Sequence, residues 1–183
     1  VDGGVGAVKI QPLAERLRLS RTSFYWFFKD RKALLSALLD EWDAKNTGSL
    51  VSAAAAYAES PAEAVLNVIS VFLDDTVFDS RLDFAVRSWG LQDTNVMNRV
   101  NDADERRLIA LRDMMERIGH GPDEADTRAR TMYLVQIGYI SMQVCESLST
   151  RMKRIPDYVR IYSGEAPTQK EMARFFACHG YNP

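Results

Sequence analysis

Apolar residues recur along the chain at three- and four-residue intervals, and no run of alternating β-branched residues bounded by turn signals breaks that rhythm. Such spacing lays one stripe of each segment against a core and predicts amphipathic helices, not strands. The Gly-rich start (Gly3, Gly4, Gly6) reads as a loop. Two short helices follow, over about 11–17 and 21–27. Pro12 suits a first helical turn, where its missing N–H costs nothing, and Ser20 is a good N-cap for the second helix. Asp30 caps a longer helix to about Asn46, with Leu34, Leu35, Leu38, Leu39 and Trp42 at helical spacing, and Asn46-Thr47-Gly48 ends it. After an alanine-rich piece over 53–58, Ser60-Pro61-Ala62-Glu63 forms a capping box that opens a helix through Val65, Ile69, Phe72 and Leu73 to about Val77.

Further helices are expected at about 81–89, interrupted by Gly90, and at 94–118, stopped by Gly119-His120-Gly121-Pro122. A long helix over 123–150 comes next. Residues 156–167, bounded by prolines, read as irregular. A second capping box, Thr168 with Glu171, starts a last helix to about Cys178. No internal repeat is visible. The expected fold is all-α with about nine helices: an N-terminal helix-turn-helix unit over 1–46 and a larger helical unit over 47–183.

Composition narrows the class. A chain of 183 residues, 46% hydrophobic and 26% charged, matches a soluble globular protein. It can bury roughly 70% of its unfolded surface and needs no metal or disulfide staple. No apolar run approaches the ~20 residues of a membrane-spanning helix, and no leader pattern is visible. Cys145 and Cys178, both in predicted helices and without metal-ligand spacing, suit reduced thiols in a cytoplasmic protein. His120 and His179 alone cannot build a His-rich metal site, and no cofactor is expected.

Charge is uneven. The total of −2 hides a basic segment over 9–32, where Lys9, Arg16, Arg18, Arg21, Lys29, Arg31 and Lys32 face only Glu15 and Asp30. That segment carries +5 and the remainder −7. A basic head on an acidic body is what phosphate contact requires, because each neutralised phosphate releases counterions. Within the head, Leu13, Ala14 and Leu17 form an inward face, Arg18-Leu19-Ser20 is a short turn, and Leu19 and Phe24 pack beneath the second helix. This is helix-turn-helix spacing, which delivers the N-terminal residues of the second helix, Arg21, Thr22 and Ser23, to base edges. Arg can bond guanine bidentately, and Ser or Thr can bond bases or phosphates. Arg31, at the start of the third helix, can meet a phosphate. A short basic helix pair alone is more often a solvated surface. The run Phe24-Tyr25-Trp26-Phe27-Phe28 changes that balance: with Phe24, Phe27 and Phe28 on one side, Tyr25 and Trp26 point outward among cations, which suits a phosphate backbone.

Leu13-Ala14, then Leu19-Ser20-Arg21-Thr22-Ser23-Phe24-Tyr25-Trp26-Phe27-Phe28-Lys29-Asp30-Arg31-Lys32-Ala33-Leu34-Leu35, resembles the DNA-binding motif of the TetR (tetracycline-repressor-like) family. The resemblance covers about 27 residues; the rest is compatible in length and helix order without a strong motif. It implies a homodimeric transcriptional regulator on a double-stranded, palindromic operator, commonly a repressor released by a small-molecule effector. It carries base reading onto Arg21, Thr22 and Ser23, backbone contact onto Tyr25 and Trp26, and a helix-start cation onto Arg31. Gln11 takes a further DNA-facing position, and Ser20 and Lys29 complete the candidate set. Three departures stand out. Arg18 occupies a turn position often held by Gly, so either its backbone is strained or the turn differs locally. The family's Thr-rich entry to the second helix is Lys9-Ile10-Gln11. The family's first helix would precede Gly3 and is missing from this chain.

The body offers less specific signals. From Met132 to Leu148 the predicted long helix is apolar almost all round, so it needs cover on two sides. A small-residue stripe of Gly138, Ser141, Cys145 and Ser149 would permit close approach by a second copy; a central helix in a monomer core is the alternative. The resemblance adds that family members pair their last two long helices across a dimer. A two-fold dimer would set two recognition helices roughly 34–36 Å apart. Candidate pocket residues are Phe72, Phe84, Trp89, Met114, Met115 and Tyr133, although aromatics and methionines at helical spacing are more often core. Arg87, in an otherwise apolar stretch, either binds an anionic ligand or pairs with an acid such as Asp93 or Glu116, pairing being favoured. Catalysis is not expected. No nucleophile–base set or glycine-rich phosphate loop is present, and Asp74 and Asp75 diverge by about 100° on a helix. The competing reading is an effector-independent, nucleoid-associated or structural DNA-binding protein.

Overall fold

The computed structural model describes residues 4–18 and 20–182, without the side chains of Ala7 and Arg21. Among them every regular element is helical. After a 3-10 turn at Val5–Ala7 come α1 (Ile10–Arg16), α2 (Arg21–Phe27), α3 (Arg31–Trp42), α4 (Gly48–Ala55), α5 (Pro61–Val71), α6 (Ser80–Gly90), α7 (Thr94–Arg117), α8 (Pro122–Ser141), α9 (Leu148–Ser163) and α10 (Gln169–Cys178). A π turn at Asp43–Thr47 joins α3 to α4 without a break, so the described residues form nine helical rods in an all-α fold.

That π turn replaces the stop expected at Asn46-Thr47-Gly48. Gly48 has ordinary right-handed backbone (φ −59, ψ −44) and continues the helix. The wider turn brings both Asn46 and Thr47 into the interior, where each finds a polar partner. The rod from Arg31 to Ala55 therefore crosses the boundary expected at residue 46.

Side-chain caps account for most of the helix starts. Ser20, Asp30, Ser60, Asp79, Asp93, Ser147 and Thr168 each accept a hydrogen bond from a backbone N–H of the helix they open. The box at Thr168 is reciprocal: Glu171 N donates to Thr168 Oγ1 at 3.2 Å, and Thr168 N donates to Glu171 Oε2 at 2.6 Å. The box at Ser60 is not, because Glu63 Oε2 accepts from Glu59 N instead. Ser60 Oγ donates across the fold to Glu171 Oε1, which ties the start of α5 to the start of α10.

The hydrogen bonds from Ser60 and Thr168 hold the Glu171 carboxyl below its ordinary value. A depressed carboxylate stabilises the fold above its unfolded pKa and loses that contribution as pH falls through the folded value. Acid titration of thermal stability should therefore show a limb below about pH 4.5 that shrinks in Glu171→Gln. An unchanged limb in the variant would mean that other carboxylates carry it.

The long helix expected over 123–150 is instead two helices. Met142 N donates to Gly138 O at 2.9 Å and Val144 N to Tyr139 O at 3.0 Å, while Gln143 takes a left-handed φ of 50°. Ser147 then caps α9. That helix runs through Pro156, inside the span expected to be irregular. Its face of Met152, Ile155, Val159 and Tyr162 is buried, and burial of four large side chains outweighs the ~3 kcal/mol cost of an internal proline. The end of α9 is marked by Gly164, whose φ of 84° suits glycine. Gly90 remains helical; a Cβ there would sit 3.3 Å from Met97 Cα, so its absence allows α6 and α7 to approach.

The main core is drawn from α4, α5 and α7 to α10, around Leu50, Val65, Leu111, Met114, Met115 and Met152. A smaller cluster of Leu39, Trp42, Val86, Val96, Val100 and Ala103 packs α3 against α6 and α7, where the head's rod enters the body. No helix among the described residues is long and apolar enough to cross a membrane.

Candidate nucleic-acid interface, junction network and cleft

The head is small. Ala14 and Phe24 are buried between α1 and α2, and Phe28 lies 5.5 Å from Phe24, centroid to centroid. Leu17 and Phe27, expected to face inward, are exposed. Leu17 follows the last residue of α1 and precedes the left-handed Arg18 (φ 55), so it has left the inner face. The inner position of α2 is Phe24, which meets Phe28 just past the helix end, and Phe27 turns out beside Trp26. Of the two alternatives for Arg18, the left-handed, strained backbone is the one found. Leu19 and the side chain of Arg21 lie outside the described residues, although Arg21 is the first residue of α2.

The remaining DNA-facing candidates gather at the head. Thr22, Tyr25, Trp26 and Lys29 are exposed, Trp26 by 85%. Ser20 and Ser23 are engaged with each other: Ser23 N donates to Ser20 Oγ at 3.0 Å, and the two hydroxyls lie 2.8 Å apart. Ser23 is therefore a partner in the cap, with less freedom to read a base. Gln11, on α1, donates to Glu15 Oε1 at 3.2 Å. Arg31 departs from expectation. Its Nε donates to Val8 O and its Nη2 to Val5 O, both at 2.7 Å, so it anchors the N-terminal segment to the start of α3 instead of standing open to a phosphate.

At the junction the structure places a polar network that apolar periodicity alone does not mark. Arg107 and Asp83 are both fully buried, and Arg107 Nη1 lies 3.1 Å from Asp83 Oδ1. Trp42 Nε1 donates to the same carboxylate oxygen at 2.8 Å. Arg107 Nε donates to Thr47 Oγ1 at 3.0 Å, and its guanidinium sits over the Trp42 and Phe78 rings. Among the described residues, Arg107 Nη2 is buried without a partner. Arg87 closes the network from the other side: Nε donates to Asp83 Oδ2 at 2.7 Å, and Nη1 and Nη2 grip Asp104 at 2.8 and 2.6 Å. Tyr133 OH bridges, accepting from both arginines and donating to Asp104 Oδ1 at 2.6 Å.

The charges follow from this geometry. Burial pushes the Asp83 carboxyl up, but the Arg107 and Arg87 charges outweigh it and hold the group below its ordinary value. Burial likewise works against the Arg87 cation, and the bond to Asp104 with the Asp83 charge raises it nonetheless. Tyr133 is pushed up, chiefly by burial, and stays a neutral phenol. Arg87 is thus paired, as favoured, with Asp83 and Asp104 in place of Asp93 or Glu116. A signal for this network was present: Val96, Val100, Ala103, Arg107, Leu111 and Met114 fall on one helical stripe, and a lone Arg on it needs a buried acid.

A cleft of about 550 Å³ opens between the ends of α5 and α8, the first turns of α6 and the start of α9. Phe72 and Phe84 line it, with Arg81, Tyr139, Ile140 and Arg151. A smaller recess of about 50 Å³ adjoins it across Phe72, Gln136, Tyr139 and Arg151. The other pocket candidates fall elsewhere. Met114 and Met115 are sealed in the main core because α7 turns that stripe towards α8, Trp89 packs on the junction cluster, and Arg87 and Tyr133 belong to the network.

The proposed small-residue stripe does not form. Gly138 and Ser141 lie on α8, Cys145 in the loop that interrupts the expected helix and Ser149 on α9. Exposed apolar side chains on these helices are instead Leu134, Ile161 and Leu148, the first two at 58% and 54%. Cys145 and Cys178 are free and exposed. No group of three His, Cys, Asp or Glu among the described residues is arranged to hold a metal ion. Comparison with protein-family models, curated proteins and solved structures finds no match to this chain.

Proposed function

We propose that this chain is a DNA-binding transcriptional regulator of the TetR-like kind, a repressor whose hold on a palindromic operator is relieved by a small molecule. One observation carries the reading: α2, capped by Ser20, exposes Thr22, Tyr25 and Trp26 beside Lys29 on a segment of net charge +5. Cations and aromatic hydroxyl or indole groups serve the phosphate backbone, and the first turn of α2 serves base edges. Homodimerisation is supported by Leu134 and Ile161, apolar and exposed on α8 and α9. Effector binding is supported by the cleft of about 550 Å³ lined by Phe72, Phe84 and Ile140. In this reading the ligand favours a body conformation that moves the α3–α4 rod, shifting the population away from the operator-binding state.

The experiment is duplex binding by fluorescence anisotropy with two single variants. Arg21→Ala should relax discrimination at one base position by about 1–3 kcal/mol. Tyr25→Ala should weaken binding to all sequences alike. If Arg21→Ala leaves the preferred sequence intact, the base-reading role of α2 is wrong.

A further inference from the structure

We infer that the cleft takes an amphipathic carboxylic acid, its carboxylate held by Arg151 and its apolar body lying against Phe72, Phe84 and Ile140. The inference rests on the effector reading for its biological consequence, and on the cleft itself for its chemistry. At about 550 Å³ the cleft is of the size that encloses one small organic molecule. Its walls combine an apolar face with few charges: Arg81 and Asp75 border the cleft, Arg154 borders the recess, and Arg151 borders both.

Arg151 differs from its neighbours in what it meets. Arg154 is held by both oxygens of Glu146, at 2.7 and 2.8 Å, and donates to Tyr139 OH at 3.1 Å. Arg128, Arg130 and Arg160 each pair with an acid on their own helix. Among the described residues no carboxylate pairs with Arg151; its guanidinium lies over the Tyr139 ring, Cζ 5.8 Å from the centroid. An arginine stacked on an aromatic face keeps its planar edge of N–H donors available, and that edge matches a carboxylate bidentately. Asp75 and Arg81, of opposite charge, border the cleft alone, whereas Arg151 borders both the cleft and the recess. Glu146 is already neutralised by Arg154, so it does not offset the cation that faces the ligand.

The test uses the full chain and three probes of one shape: naphthalene carboxylate, the corresponding carboxamide, and the corresponding methylamine, titrated calorimetrically. The carboxylate should bind at least about tenfold more tightly than the carboxamide, since it adds a charge-assisted bidentate pair. The amine should bind most weakly. Arg151→Gln should abolish the preference for the carboxylate while leaving carboxamide binding and the melting temperature unchanged, and Arg151→Lys should restore part of it. Equal affinity for carboxylate and carboxamide, tighter binding of the amine, or no binding of any probe would overturn the inference. Duplex binding measured on the same samples separates the two claims. A protein that prefers the carboxylate but binds no DNA sinks the regulator reading alone, and one that binds DNA but shows no carboxylate preference sinks the cleft assignment alone.

Discussion

Asp83→Ala should destabilise the protein by about 3–5 kcal/mol, because it strands the Arg107 cation in the core. Arg107 is fully buried; Asp83 Oδ1 is its close ion-pair partner at 3.1 Å, and Asp104 Oδ1, at 3.9 Å and already gripped by Arg87, is too distant to replace it. The same substitution removes the acceptor for the Trp42 indole N–H and one of the two carboxylates that hold Arg87. A loss of that size is a large fraction of the stability of an ordinary domain. Urea denaturation should therefore show a large fall in the midpoint or no folded baseline.

Removing both charges should cost much less than removing one. In Asp83→Leu with Arg107→Met no buried charge is left without its partner, and apolar replacements of similar volume are often neutral or stabilising. A double-mutant cycle should accordingly give a strongly non-additive result. If Asp83→Ala proves as mild as a surface substitution, the network is not the element that fixes the junction between rod and body.

Much of this architecture was legible in the sequence, and the failures have physical causes. Capping residues marked starts well: Ser20, Asp30, Ser60 and Thr168 cap the helices they were expected to cap. Such signals are local, since a side-chain oxygen three residues from a backbone N–H needs nothing else. Stops were harder to place. Asn46-Thr47-Gly48 looked like a break, but tertiary partners for Asn46 and Thr47 make a π turn there worth keeping. Pro156 looked like a boundary, but the buried face of α9 carries the helix through it. Conversely, the apolar run from Met132 to Leu148 concealed the break after Ser141, where Gln143 adopts a left-handed backbone without glycine. Charge partners were the least legible: Asp83 and Arg87 stand at a helical i,i+4 spacing, but the pairs Arg87–Asp104 and Arg107–Asp83 join α6 to α7 at separations that periodicity does not encode.

The head raises a second large expectation. On the proposed function, operator affinity should fall by about 10³–10⁵ between 50 and 200 mM salt if the dimer neutralises roughly 6–10 phosphates. The +5 segment supplies the cations. Arg31 is not counted among the free ones, because its guanidinium is committed to the carbonyls of Val5 and Val8. Lys29 and Lys32, exposed at the α2–α3 corner, are the better candidates. Replacing both by Ala removes up to four contacts from a dimer and should shallow the slope of log K against log salt by about three to four units. Because both side chains are exposed, the fold should melt as before. A slope that is shallow in the unaltered protein, or unmoved by the double replacement, would mean that this corner does not meet DNA.

The most direct measurement is selection of preferred duplexes from a random-sequence library by the full chain at near-physiological salt. The expected result is a palindromic consensus with half-site centres about 10 base pairs or a multiple of that apart, as two recognition helices in successive major grooves require. Arg21→Ala should lose one half-site position. Recovery of no enriched sequence at any salt concentration would contradict the proposed function.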